Sequence, residues 1–118
     1  MHNLSQLRIW REAIELTVEV YKATAHFPKE EKSGLTSQSG KSAVSVPSNI
    51  AEGAGRNSKN EFKHFLGISN GSSYELQTQL IVASKLELLK PKKLDPILDK
   101  IDKIQKMNFN LQDTLSGH

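Results

Sequence analysis

The sequence predicts an all-α fold: an antiparallel up-down four-helix bundle, built as a single domain over residues 1–118. Three observations carry this prediction. Apolar residues recur at the 3.6-residue helical period in four separate stretches, and nothing alternates like a strand over five or more residues. Short polar breaks bearing proline or glycine separate the stretches, as connections between neighbouring helices of a bundle do. A chain of 118 residues without an internal repeat is one domain long, and buries roughly two-thirds of the surface that its unfolded form exposes.

The first helix is expected over residues 5–25. In LRIWREAIELTVEVYK, Arg8, Arg11, Glu12, Glu15, Glu19 and Lys22 share one charged stripe. Leu7, Trp10, Ile14, Thr17, Val18 and Tyr21 form one apolar face, and Ile9, Ala13, Leu16 and Val20 form a second beside it. Together they span about 200°, where a surface helix needs little more than about 100°. One flank is thus expected in the helix's own bundle and another against a second chain, with Ile9, Ala13, Leu16 and Val20 as the candidate oligomer interface.

Phe27-Pro28 breaks this helix, and a second is expected over 35–53. Leu35, Ala43, Val46, Ile50 and Ala54 line its apolar side, and Pro47 removes one backbone hydrogen bond. Gly53 and Gly55 provide a stop in the style of a C-cap. Ser58-Lys59-Asn60-Glu61 then has the form of a capping box, which opens a third helix over 58–89. Its apolar register passes unbroken through Ser69-Asn70-Gly71-Ser72-Ser73, a run that propensity alone would make a loop. One long helix is expected, with small residues admitting a neighbour. Leu89-Lys90-Pro91 ends it, and Asp95-Pro96 is read as N-cap and first position of a fourth helix over 95–115.

Cysteine is absent, which removes disulfides and thiol chemistry. The N-terminus becomes charged at once and lacks a signal-peptide core, and no apolar run approaches the ~20 residues that cross a bilayer. A soluble, cytoplasmic protein with no membrane partner is expected. The net charge is +3 and the pI near 9.2. Residues 1–55 carry six cationic and six acidic side chains, and residues 56–118 carry ten against seven. A pI in this range raises nucleic-acid binding as a question without deciding it.

Several apparent sites dissolve on inspection. Gly40-Lys41-Ser42 resembles the end of a phosphate-binding loop, but five residues separate Gly34 from Gly40 where the motif needs four, and no strand precedes it. His2, His26, His64 and His118 are isolated, so no metal or other cofactor is expected. No serine sits in a nucleophile elbow, and the chain is not expected to be an enzyme. The stretch PSNIAEGAGR invites two readings. Gln38, Ser45, Asn49, Glu52 and Gly53 form a structural polar motif that fixes the corner between helices two and three, since buried polar groups need partners whatever the function. Alternatively, Lys41, Arg56, Lys59 and Lys63 meet phosphate near the start of helix three, making them the candidate nucleic-acid-binding residues.

The segments LRIWREAIELTVEVYK, FPKEEKSGLTSQ, AVSVPSNIAEGAGR and FKHFLGISNGSSYELQTQL, spread over residues 7–89, carry a resemblance. The chain resembles the four-helix-bundle family of 23S rRNA intervening-sequence proteins and, more distantly, the accessory proteins of diversity-generating retroelements. The resemblance implies a bacterial homo-oligomer, typically a pentameric ring, with no enzymatic activity. The retroelement relatives bind nucleic acid and a reverse transcriptase. The function expected is therefore an oligomeric bundle that binds RNA or a nucleic-acid-handling protein. The alternative is a structural protein–protein adaptor that binds no nucleic acid.

Overall fold

The computed structural model describes residues 3–117, so His2 and His118 lie outside the described residues. A short 3-10 turn, Leu4–Gln6, leads into α1, Arg8–Thr24. A second turn, Lys29–Glu31, precedes α2, Leu35–Ala54; α3 follows as Lys59–Lys85 and α4 as Pro91–Leu115. No strand occurs among the described residues, and no helix among them is long and apolar enough to cross a membrane.

Each helix packs on its neighbours through identifiable pairs. Thr17 and Tyr21 of α1 meet Ala43 and Gly40 of α2. Ser42, Ser45 and Val46 of α2 meet Glu75, Ser72 and Ser69 of α3. Ser73 and Gln77 of α3 meet Gln105 of α4, and Leu66 meets Asn108. Lys100 and Lys103 of α4 return to Glu19 and Glu12 of α1. In every pair the numbers rise on one helix as they fall on the other.

One apolar core runs between the four helices, centred on Leu16, Val20, Val46, Ile50, Phe62, Leu66, Leu76, Leu80, Ile101 and Ile104. Its α1 contribution corrects the sequence reading. Ile9, Ala13, Leu16 and Val20, expected at an oligomer interface, are at most 4% exposed within the single chain. They are the bundle's own core. The flank left open is the other one, with Ile14, Val18 and Tyr21 all at least 39% exposed. The wheel found two faces, and only packing decides which of them the chain keeps for itself.

α2 continues through Pro47, for which the structure supplies a reason. Proline at this position removes the N–H that would bond the Ala43 carbonyl one turn earlier. The Thr17 hydroxyl of α1 lies 3.1 Å from that carbonyl oxygen, and 2.8 Å from the Ala13 carbonyl of its own helix. A neighbouring helix thus supplies the missing donor.

α3 also runs unbroken through its small-residue segment. Ser69 and Ser73 are buried, and the Ser69 hydroxyl donates across to the Val46 carbonyl at 2.9 Å. The serines admit the neighbour, whereas Gly71 faces open space. Gly71→Ala is therefore expected to stabilise the protein by up to about 1 kcal/mol, the helix-propensity difference at an exposed site. Urea denaturation of the two proteins measures it.

The α3–α4 connection differs from the expected one. α3 stops at Lys85, four residues early, in a turn where Leu88 N–H bonds the Ala83 carbonyl and Glu87 N–H the Ser84 carbonyl. This closure needs a left-handed residue, and Glu87 supplies it at φ 63°. α4 opens with Pro91 in its first turn, so Asp95-Pro96 lies inside the helix. Both prolines carry the same start signal. The earlier one prevails because it brings Leu94 into the core beside Leu89, while Pro96 orphans only the carbonyl of exposed Lys92.

Candidate nucleic-acid interface

The expected cationic site breaks into parts. Arg56 follows the end of α2, and its guanidinium lies 3.0 Å from Glu52 Oε2, 3.8 Å from Glu61 Oε2 and 4.8 Å from the Phe65 ring centroid. It clamps the end of α2 to the start of α3, with two carboxylates offsetting its charge. Lys59 and Lys63 stand beside it in the first turns of α3. Lys41 is exposed on α2, about 18 Å of helix rise from Gly53, and does not join them.

The polar motif is likewise divided. Asn49 donates to the Ser45 carbonyl and hydroxyl oxygens, both at 2.9 Å, and Ser45 Oγ meets Ser72 Oγ of α3 at 2.9 Å. Gln38 and Glu52 are exposed instead of turning inward. Gly53 is buried against α3, where a Cβ would lie 2.8 Å from Phe65 Cβ and 3.1 Å from the Phe62 carbonyl oxygen. At the start of α3, Ser58 Oγ accepts from Glu61 N–H at 3.1 Å, one half of the capping box. This corner is a structural joint.

Further cations are engaged between α1 and α4. Lys103 lies 3.1 Å from Glu12, and Lys100 bridges Glu12 at 3.6 Å and Glu19 at 3.4 Å. The Lys103 hydrogen bond, opposed by burial and assisted by the charges of Lys103 and Lys100, holds the Glu12 carboxyl below its ordinary range. Burial pulls the Lys100 ammonium down, but Glu19, Glu15 and Glu12 together outweigh it and leave its pKa raised. A depressed carboxyl gives stability that is complete above its unfolded pKa and lost as pH falls through the folded value; a raised lysine gives stability lost as pH climbs through its own. The cluster therefore contributes fully at neutral pH. Glu12→Gln is expected to cost about 1 kcal/mol there, because side chains 14% and 21% exposed are only partly screened. The deficit should shrink as the pH falls through the lowered folded-state pKa of Glu12, where the parent carboxyl itself takes up a proton, as denaturation at neutral and strongly acidic pH will read.

Sequence inspection passed over the cations at the opposite end of the bundle. Lys22 and His26 near the end of α1 share a groove of about 290 Å³ with Lys93 of α4. The signal was available: in an up-down bundle of the kind expected from the sequence, the first and third connections share an end. Two aromatic side chains also escaped notice as surface features. Tyr74 and Phe109, 55% and 72% exposed, line one groove between α3 and α4.

Comparisons with known proteins agree with this architecture. A solved structure of a protein of unknown function, from the S23 ribosomal protein family of Bacteroides thetaiotaomicron, superposes with a TM-score of 0.80. The match covers 88% of this chain and 97% of that one at 19% sequence identity, a likeness of fold. No curated protein sequence matches. The family described as 23S rRNA-intervening sequence protein matches residues 5–110, almost the whole bundle. On that match, the chain belongs to the 23S rRNA-intervening sequence protein family.

Proposed function

We propose that this chain is a non-enzymatic, antiparallel up-down bundle that assembles with copies of itself and, in the cytoplasm, binds RNA or a protein that handles RNA. One observation carries the assembly: large apolar side chains stand open on two different sides. A closed ring needs two unlike patches that meet head to tail. Ile14, Val18 and Tyr21 of α1, with Val44 of α2, offer one; Tyr74 and Phe109, across α3 and α4, offer the other. Five is the subunit number that the family resemblance implies. The RNA part rests on the family's tie to 23S rRNA and on the basic pI.

Sedimentation at micromolar concentration tests the assembly, with a species several times the 13.2 kDa chain mass expected. Val18→Glu and Phe109→Glu should each dissociate it, and a stable monomer of the parent chain would refute it. RNA binding across a salt series tests the second part. The adaptor reading has its own support, since the Arg56 corner is neutralised by Glu52 and Glu61. An oligomer that binds no RNA at low salt would establish that reading instead.

A further inference from the structure

The cations without an ion-pair partner concentrate at one end of the bundle. Lys22 closes α1, Lys29 and Lys32 stand between α1 and α2, Lys85 ends α3, and Lys90, Lys92 and Lys93 open α4. All seven are exposed, and none takes part in a salt bridge among the described residues, in contrast to Arg56, Lys100, Lys103 and Lys106. The groove lined by Lys22, His26 and Lys93 joins the α1 contribution to that of α4. The carboxylates of this end are Glu30, Glu31, Glu87, Asp95 and Glu19, which lines the groove and pairs with Lys100 at 3.4 Å, while Glu31 is turned towards the backbone N–H of Leu35 at 3.3 Å. Seven lysines against five carboxylates leave +2. Elsewhere nine cationic side chains meet eight carboxylates, so most of the chain's net charge of +3 resides at this end.

We infer that the α1–α2 and α3–α4 connections together form the RNA-contacting surface, and that it grips the phosphodiester backbone without reading sequence. This rests on the RNA reading proposed above and moves the contact away from the Arg56 corner. Every lysine here is a compact, mobile point charge that can meet phosphates along a strand but offers no fixed fork for bidentate recognition, so the surface fits a polyanion held without base readout. The three lysines that open α4 stand at the positive end of its dipole, with no acidic side chain in the first turn, so helix and side chains reinforce one potential. In a ring whose subunits share an orientation, these ends would gather on one rim and add their fields.

The test compares three full-length proteins binding a short unstructured RNA over a salt series. One is the parent, one carries Lys90→Gln, Lys92→Gln and Lys93→Gln, and one carries Lys59→Gln and Lys63→Gln at the other end. Circular dichroism and sedimentation verify that each keeps the parent's fold and assembly, as substitutions of exposed and, for Lys63, half-buried side chains should. The slope of log affinity against log salt is expected to become shallower in the triple variant, by roughly 0.7 for each lost phosphate contact per engaged subunit. The Lys59/Lys63 variant should keep the parental slope. If the parent binds and the triple variant keeps its slope, the assignment of the surface is wrong while the RNA reading survives. If the parent binds no RNA at low salt, both fall. Binding to anionic lipid vesicles but not to RNA would likewise overturn the inference in favour of a membrane surface.

Discussion

Gly53→Ala is expected to destabilise the protein by about 1–3 kcal/mol, the usual cost of forcing a methyl group into a filled site. Helix propensity argues the other way, since alanine is better than glycine inside a helix by about 1 kcal/mol. The contacts decide the sign. A Cβ at this position would lie 2.8 Å from Phe65 Cβ, 3.0 Å from Phe62 Cδ1 and 3.1 Å from the Phe62 carbonyl oxygen. Two of these atoms belong to, or adjoin, the α3 backbone, and neither can rotate away. Phe62 is itself 2% exposed, so its ring has little room to yield. Relief requires the first turns of α3 to move off α2, which would also disturb the Arg56 clamp. Gly71→Ala provides the internal control, because the same chemical change on the same bundle should shift the urea midpoint in the opposite direction. Equal shifts for the two variants would show that the close approach at Gly53 does not constrain the joint.

Thr17→Val is expected to cost about 1–3 kcal/mol, the penalty for stranding a buried polar group. Valine nearly preserves the shape and removes the hydroxyl, leaving the Ala43 carbonyl without the donor that lies at 3.1 Å. The carbonyl has no helical substitute because Pro47 has no N–H. This dependence makes a double-mutant cycle informative. Pro47→Ala restores a backbone donor to Ala43, so Thr17→Val should cost measurably less in that background than in the parent. If Thr17→Val costs the same in both, the hydroxyl's bond to Ala13 in its own helix is the one that matters, and the cross-helix compensation is refuted.

Much of the fold was legible because helical periodicity is a local property. The four apolar stretches, the Ser58 cap and the continuity of α3 through its serines could all be read from spacing alone. Competing signals were less readable. Lys90-Pro91 and Asp95-Pro96 both announce a helix start, and local chemistry gives no reason to choose between them. The choice was made by Leu94, which enters the core only when the helix begins at Pro91. At the candidate site, the residues of the PSNIAEGAGR corner were identified but their roles were mixed. The Glu52–Arg56 pair at i, i+4 is legible in the sequence, whereas the second carboxylate, Glu61, and the Phe65 ring belong to the next helix, beyond the reach of a one-helix wheel.

By itself, the sequence determined the helical class, the approximate span of each helix, the family, and the existence of two apolar flanks on α1. Each follows from residues within a few turns of one another, or from the order of motifs along the chain. Tertiary structure alone decided which flank of α1 is core, why α2 survives Pro47, and where the charge accumulates. Ile9, Ala13, Leu16 and Val20 are equivalent to their neighbours in hydrophobicity and differ only in what faces them. Thr17 matters only because Ala43 lies opposite. Lys22 and Lys93 are seventy-one residues apart in the chain, and they line one groove only when α1 and α4 pack together. Pairing across helices depends on distance in space, and a helical wheel carries no information about that.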